Sequence, residues 1–358
     1  MSDGCGPDAD AVTRGLGFDC HDVAPVVSVR RPWDLAHWTM PLLEVLVVAG
    51  AIFALVHAIR RHRAGDPVNL ALWFTSLVYL FVTEPPLYFP EWFGLDKLYG
   101  FIFAHNLFTV QFMGDRLPLY IVAFYPMISQ VAYELVRTLG IFRGRGPLVA
   151  SVAVAFVCQV FYEVFDQLGP QLRWWAWNPG NQLVNHPALA SVPMNSMLLF
   201  ASVSMAAMTW LVVKLVGGRP RRGWSLVWRV LVAGVLTPPT MAIAGIPSSL
   251  AGTNTTAQAW ILGAELALVW LAGAGILLAH RREPEPLSAF VRIYPAVYLG
   301  MLAVFWIGAL PAYLGAEDGV TRDGTPIGSG PYALACFAGA GLVLAALHRA
   351  RREAPAPV

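Results

Sequence analysis

Inside the long apolar stretches of this chain, the side chains able to give or take a proton are few. The acids are Glu44, Glu84, Glu134, Glu163, Asp166 and Glu265, and the cations are Arg229 and Arg292. An ionisable group at the centre of a bilayer-spanning helix costs about 2.5–3.5 kcal/mol, so each one needs a reason to be there. Several reasons are structural. Glu134 and Arg137 stand three apart, the spacing of a helical ion pair. Arg229 and Arg292 lie near the ends of their stretches and reach the headgroups by extending their alkyl stems. Glu44, and Asp115 with Arg116, lie where the headgroup region begins.

The rest form a pattern suited to acid catalysis. Gln159, Glu163 and Asp166 recur at i, i+4 and i+7, which predicts one polar stripe on a helix, with Tyr162 beside it. Two carboxyl groups i and i+3 apart in a low-dielectric setting resist ionising together, and a pair sharing one proton can supply a general acid. Glu265 is expected at a similar depth on another span. Glu84, His105 and Asn106 are expected to approach from a neighbouring link. The competing reading is a hydrogen-bonded cluster that fixes helix packing. Trp174, Trp175 and Trp177 follow the acids directly. They read either as an interfacial belt or as a pocket wall, whose ring faces attract cations.

The elements that carry these residues follow from composition. The chain has 358 residues, of which 57% are hydrophobic and 13% charged, with a formal net charge of +2. An ordinary soluble domain has roughly 45–50% apolar and about 25% charged residues. The mean hydropathy of +0.57 excludes soluble enzymes, nucleic-acid binders and disordered chains as first readings. Apolar runs at 40–59, 68–83, 117–138, 147–167, 192–216, 225–246, 258–280, 288–313 and 331–348 are each read as a membrane span. The predicted class is therefore an all-α, polytopic transmembrane bundle of about nine spans.

The links alternate in charge. Those after runs one, three, five and seven carry Arg60, Arg61 and Arg63; Arg137, Arg143 and Arg145; Lys214, Arg219, Arg221 and Arg222; and Arg281 and Arg282. Arg349, Arg351 and Arg352 follow run nine. The other links carry Glu84, Glu91, Asp96, Asp115, Glu317, Asp318 and Asp323. The positive-inside rule then predicts an outside N-terminus and a cytoplasmic C-terminus. Lysine occurs only at Lys97 and Lys214, an arginine preference that suggests a GC-rich bacterial genome and a bacterial cytoplasmic membrane.

The predicted organisation is an extracytoplasmic tail over 1–39, a membrane domain over 40–348 and a short, disordered cytoplasmic tail over 349–358. The first 39 residues show no basic segment followed by an apolar one, so no cleavable leader is read there. Cys5 and Cys20 would share an oxidising compartment and are expected to form a disulfide. Cys158 and Cys336 read as core residues. Residues 98–113 predict a helix lying on or dipping into the outer interface. The Pro- and Gly-punctuated link 168–191 predicts irregular backbone. The eight histidines are scattered, and no zinc-protease, Walker, nucleophile-elbow or haem-attachment motif occurs. No metal or cofactor is expected, and no nucleic-acid partner.

The stretch QVFYEVFDQLGPQLRWWAWNPGNQLVNHPALASVPM, residues 159–194, resembles the central region of a family of integral-membrane carotenoid hydratases, the bisanhydrobacterioruberin hydratases. The shared features are Glu163 on a helix, the Trp175 and Trp177 pair, and Val192-Pro193 at the next helix. The family's glycine-rich turn after the Glu is absent here, and Asp166 and an Asn-rich loop stand in its place. The resemblance spans about a tenth of the chain. It implies a membrane enzyme that protonates an isoprenoid double bond, with water or an internal alkene capturing the cation.

The expectation is thus an enzyme acting on a lipophilic isoprenoid or terpenoid, as a hydratase or cyclase. Glu163 or Asp166 would be the general acid, Glu265 a second acid or base, and Gln159, Tyr162 and the tryptophans the pocket. A proton-coupled permease using the same acids, or a non-catalytic membrane subunit, remain the alternatives.

Overall fold

A computed structural model describes residues 5–280 and 285–352. Arg281 and Arg282, and the tail beyond residue 352, lie outside the described residues.

The described chain is all-α in its body. Nine of its helices are long and apolar enough to cross a membrane, which makes this a multi-pass membrane protein by length and composition. A short helix α1 (Pro7–Leu16) precedes α2 (Thr39–Arg63) and α3 (Val68–Tyr88). After one turn, α4 (Asp96–Tyr99), come α5 (Leu119–Thr138) and α6 (Ile141–Asp166). The rest are α7 (Met194–Val216), α8 (Trp224–Ser249), α9 (Thr255–Leu278), α10 (Ala289–Leu314) and α11 (Gly330–Arg352). α11 continues through Arg352, so the basic residues that were expected to begin a disordered tail are still helical backbone.

Helices α5 and α6 form the centre. The most apolar windows of α5 and α6 are 89% and 78% buried, against 17% for α9. This follows from their sequences: α6 carries small residues (Ala150, Ala153, Ala155) that let neighbours approach, and outer helices carry Leu and Val on every side. α6 is interrupted at Gly146 (φ 80°, ψ 170°), just before Pro147, so the straight segment starts where the apolar run does. Within α7, residues Leu199–Val203 form a π turn, the kind of local insertion that often marks functional sites.

The links after α3 and α6 and the N-terminal segment build a cap of short strands. These are β1 (Val27–Val29), β2 (Phe103–His105), β3 (Val110–Phe112), β4 (Leu117–Pro118), β5 (Trp175–Trp177), β6 (Ala188–Leu189) and β7 (Val192–Pro193). β1–β3–β4, β2–β5 and β6–β7 pair antiparallel. The expected interfacial helix over 98–113 is therefore not formed. Only α4 is helical there, and the aromatic residues beyond Gly100 fit a pleated strand surface and find partners 70 residues away on β5. Cys5 and Cys20 are joined by a disulfide, with Cα atoms 5.7 Å apart, which fastens α1 to the residues that follow it. Cys158 and Cys336 are free and buried.

Candidate functional site

Where cap meets bundle, a cavity of about 320 Å³ opens between α3, α5, α6, α7 and α8 on one side and the paired strands β2 and β5 on the other. Its walls are mainly apolar: Leu87, Ile121, Phe165, Leu199, Phe200 and Met241. Glu84, Tyr125, Tyr162, Asp166, His105, Trp175 and Trp177 bring polar atoms to it.

Each polar wall residue is held by a local sequence feature. Tyr162 and Asp166 are one helical turn apart on α6, so both face the same way. Glu84 lies near the C-terminal end of α3, immediately before Pro85 and Pro86, and accepts a hydrogen bond from the Tyr125 hydroxyl of α5. The register of β2 against β5 sets His105 opposite Trp175 and Phe103 opposite Trp177. Residues 175 and 177 of a strand share a face, so both indoles reach the cavity. Gly169 makes this possible: a Cβ there would lie 2.0 Å from the Trp175 ring.

Aromatic packing tightens the wall. Phe165 lies 4.9 Å from Trp175, and Phe103 lies 5.2 Å from Trp177 in an edge-on arrangement. His105 shares a 2.8 Å hydrogen bond between Nδ1 and the Tyr120 hydroxyl. Burial pushes its imidazole down to about 3, so the ring is neutral at physiological pH and acts as a hydrogen-bonding group. The loop beyond β5 is sewn to the β2 segment by asparagines. Asn178 Nδ2 donates to the Phe101 carbonyl (2.9 Å), Asn181 Nδ2 to that of Tyr99 (2.6 Å) and Asn185 Nδ2 to that of Ile102 (2.7 Å).

The acidic stripe expected on α6 divides. Asp166, 4% exposed, lines the cavity, whereas Glu163 does not. The Glu163 carboxylate accepts from Gln167 Nε2 at 2.9 Å on an adjacent flank. Gln159 lies deeper, donating to the Tyr332 hydroxyl at 3.0 Å and accepting from Ser202 of the π turn. That second network continues to Trp270 and, through Gln167, to the backbone of Ser329, so it joins α6 to α7, α9 and α11. Glu265 of α9 is half-buried and is not a wall of the cavity, which corrects its expected place beside Asp166. Trp174 is fully buried behind Trp175, donating from Nε1 to Thr39 Oγ1 at 2.9 Å. Asn106 is also behind the wall, its Nδ2 donating to the carbonyls of Arg173 (2.8 Å) and Leu16 (3.1 Å).

Residue types alone did not single out Tyr125, Asn185, Asn195, Ser196 or Phe103, all of which line the cavity. Tyr125 left one signal: a tyrosine in the middle of an apolar run needs a hydrogen-bond partner.

Three further acids have structural partners. Glu134 is bound by Arg137 Nε at 2.6 Å, His57 Nε2 at 3.0 Å and Asn69 Nδ2 at 2.8 Å, which extends the expected pair into a buried cluster. Glu44 accepts from Thr109, and Asp115 accepts from Ser28 Oγ at 2.5 Å, so both anchor the cap. Asp10, Asp19 and His21 gather near the disulfide with ligand atoms within 4.8 Å, but the two sulfurs are bonded to each other and Asp10 pairs with Arg14 at 2.7 Å.

Compared with protein-family models, curated proteins and solved structures, the chain has no match.

Proposed function

We propose that the protein is a membrane enzyme that protonates a double bond of a lipophilic isoprenoid, as a hydratase or a cyclase. The observation that carries this reading is the company Asp166 keeps. The buried carboxyl groups of Asp166 and Glu84 share a largely apolar, aromatic-walled cavity of about 320 Å³, within the size range of small-molecule sites. One carboxyl group gives its proton to an alkene carbon, where a C–H bond forms as the π bond breaks. The ring faces of Tyr162, Trp175 and Trp177 favour the positive charge left on the neighbouring carbon. Water captures that carbon and loses a proton to the second carboxylate, or an internal alkene captures it and the resulting cation loses a C–H proton to that same carboxylate. Proton exchange between the two carboxyl groups restores the starting state.

The hydratase resemblance points to Glu163 as the acid. The cavity favours Asp166, one turn beyond Tyr162, with Glu84 as its counterpart. By the alternation of arginine-rich links, the cap and cavity face outward and the C-terminus faces the cytoplasm of a bacterial cell. The disulfide in the cap agrees with an oxidising compartment. Comparing lipid extracts from cells with and without the gene by mass spectrometry tests the reading. It requires an isoprenoid pair differing by one water, or a pair of isomers, that shifts with the gene. Identical extracts overturn it.

A further inference from the structure

The cavity is uneven in its polar chemistry. Trp175 Nε1 and Trp177 Nε1 are buried and have no hydrogen-bond partner among the described residues, and both residues line the cavity. An indole N–H can only donate. Asn185 lines the same wall and is 3% exposed. Its Nδ2 is committed to the carbonyls of Ile102 (2.7 Å) and Asn178 (2.9 Å), which leaves Oδ1 as a buried acceptor without a partner among the described residues. Asn185 is anchored on Ile102, next to Phe103, which is paired with Trp177, so all three residues belong to the β2–β5 side of the cavity. Leaving buried donors and acceptors unmade costs about 1–3 kcal/mol each, so such a set is a demand for a specific partner.

Two donors and one acceptor on one wall match one functional group well. A hydroxyl oxygen accepts from an indole N–H while its proton is donated to an amide oxygen. On the helical side, Leu87, Ile121, Leu199, Phe200 and Met241 offer a run of apolar contact. We infer that the cavity takes an isoprenoid that carries a hydroxyl at the end reaching Trp175, Trp177 and Asn185, with its hydrocarbon chain along α3, α7 and α8. This rests on the isoprenoid reading above and narrows its substrate to an oxygenated lipid. A purely hydrocarbon substrate leaves all three atoms unsatisfied.

The test uses the purified full-length protein in lipid nanodiscs and three probes with one C15 skeleton: farnesol, its methyl ether and the corresponding hydrocarbon. Native mass spectrometry reads the occupancy of each. Farnesol should bind best, with a several-fold preference of about 2- to 10-fold over the hydrocarbon, the yield of a net hydrogen bond or two. The ether, which accepts but cannot donate, should fall between them. Trp175→Phe keeps a ring but removes the donor, and should bring farnesol and ether toward the hydrocarbon; Trp177→Phe repeats the test should the first variant fail to fold. Equal occupancy of the three probes on the wild-type protein overturns the inference without any variant, as does a farnesol preference that survives both substitutions. Asp166→Asn separates the two claims. Should it abolish lipid conversion while the probes bind equally, the isoprenoid reading stands and the hydroxyl inference fails. Should the farnesol preference hold while Asp166→Asn converts lipid normally, the reverse is true.

Discussion

At the residue scale, the two acids on α6 have different surroundings. Asp166 and Glu84 both line the cavity, while Glu163 is bonded to Gln167 and sits in the network that joins α6 to α7, α9 and α11. Asp166→Asn and Glu84→Gln should therefore lower conversion by about 10²-fold or more, the scale of a lost general acid or base, with the fold retained. Glu163→Gln should leave conversion within a few-fold and shift the thermal unfolding midpoint instead. Parallel turnover and melting measurements on the three variants check this. Much of this site was legible in the sequence, because Tyr162, Asp166 and the indoles are fixed by local spacing. Glu163 was misplaced for a geometric reason: residues three apart differ by about 60° around a helix, enough to point into different clefts. Gln159 shares the Asp166 direction but lies about 10 Å lower along the axis, below the cavity floor.

His105 gives a second residue-scale expectation. Its folded-state value of about 3 lies below the ordinary histidine value, so the unfolded chain binds the proton more readily. Stability should be full above pH 6.5 and fall as pH drops from 6.5 towards 3, by up to about 1.4 kcal/mol per pH unit. His105→Gln, which keeps hydrogen-bonding capacity without titrating, should flatten that part of the profile. A melting series across this pH window with unchanged slope in the variant would show that other groups set the acid limit.

At the element scale, the spans and the cap differ in how they are encoded. A span is written in a local run of about 20 apolar residues, and all nine runs became helices. The cap strands are two or three residues long, and their partners are remote, as with Phe103 and Trp177 or Val27 and Phe112. No periodicity over three residues can announce such pairing, so 98–113 read as a helix. The cap also depends on its disulfide. Closing a 15-residue loop contributes about 3 kcal/mol in the chain-entropy account. Replacing both Cys5 and Cys20 by serine should accelerate amide exchange in α1 and in β5, against which α1 packs, and leave α5 and α6 protected. Uniform acceleration across the bundle would show that the cap is not a separate cooperative unit.

At the scale of the whole molecule, the nine apolar helices among the described residues are an odd number, and an odd number of crossings would leave the two ends of the chain on opposite sides of the bilayer. The arginine-rich links predict which side is which. A reporter active only in the cytoplasm should work when fused at residue 358 and fail at residue 320, between α10 and α11. The opposite pattern would turn the cavity toward the cytoplasm. The composition made this architecture readable, since it depends on totals and runs. The cavity did not follow from totals, because it arises only where the π turn of α7, the proline-bearing α8 and two distant loops converge.

Asp166, with Glu84 as its counterpart, is proposed to protonate a carbon–carbon double bond. The most direct measurement incubates membranes containing the protein with lipid extract from cells lacking the gene, in deuterium oxide, and reads the isoprenoid products by mass spectrometry and NMR. One deuterium fixed on carbon is expected in a product that wild-type membranes form and Asp166→Asn membranes do not. A gene-dependent product without carbon-bound deuterium, or equal labelling with Asp166→Asn, would contradict it.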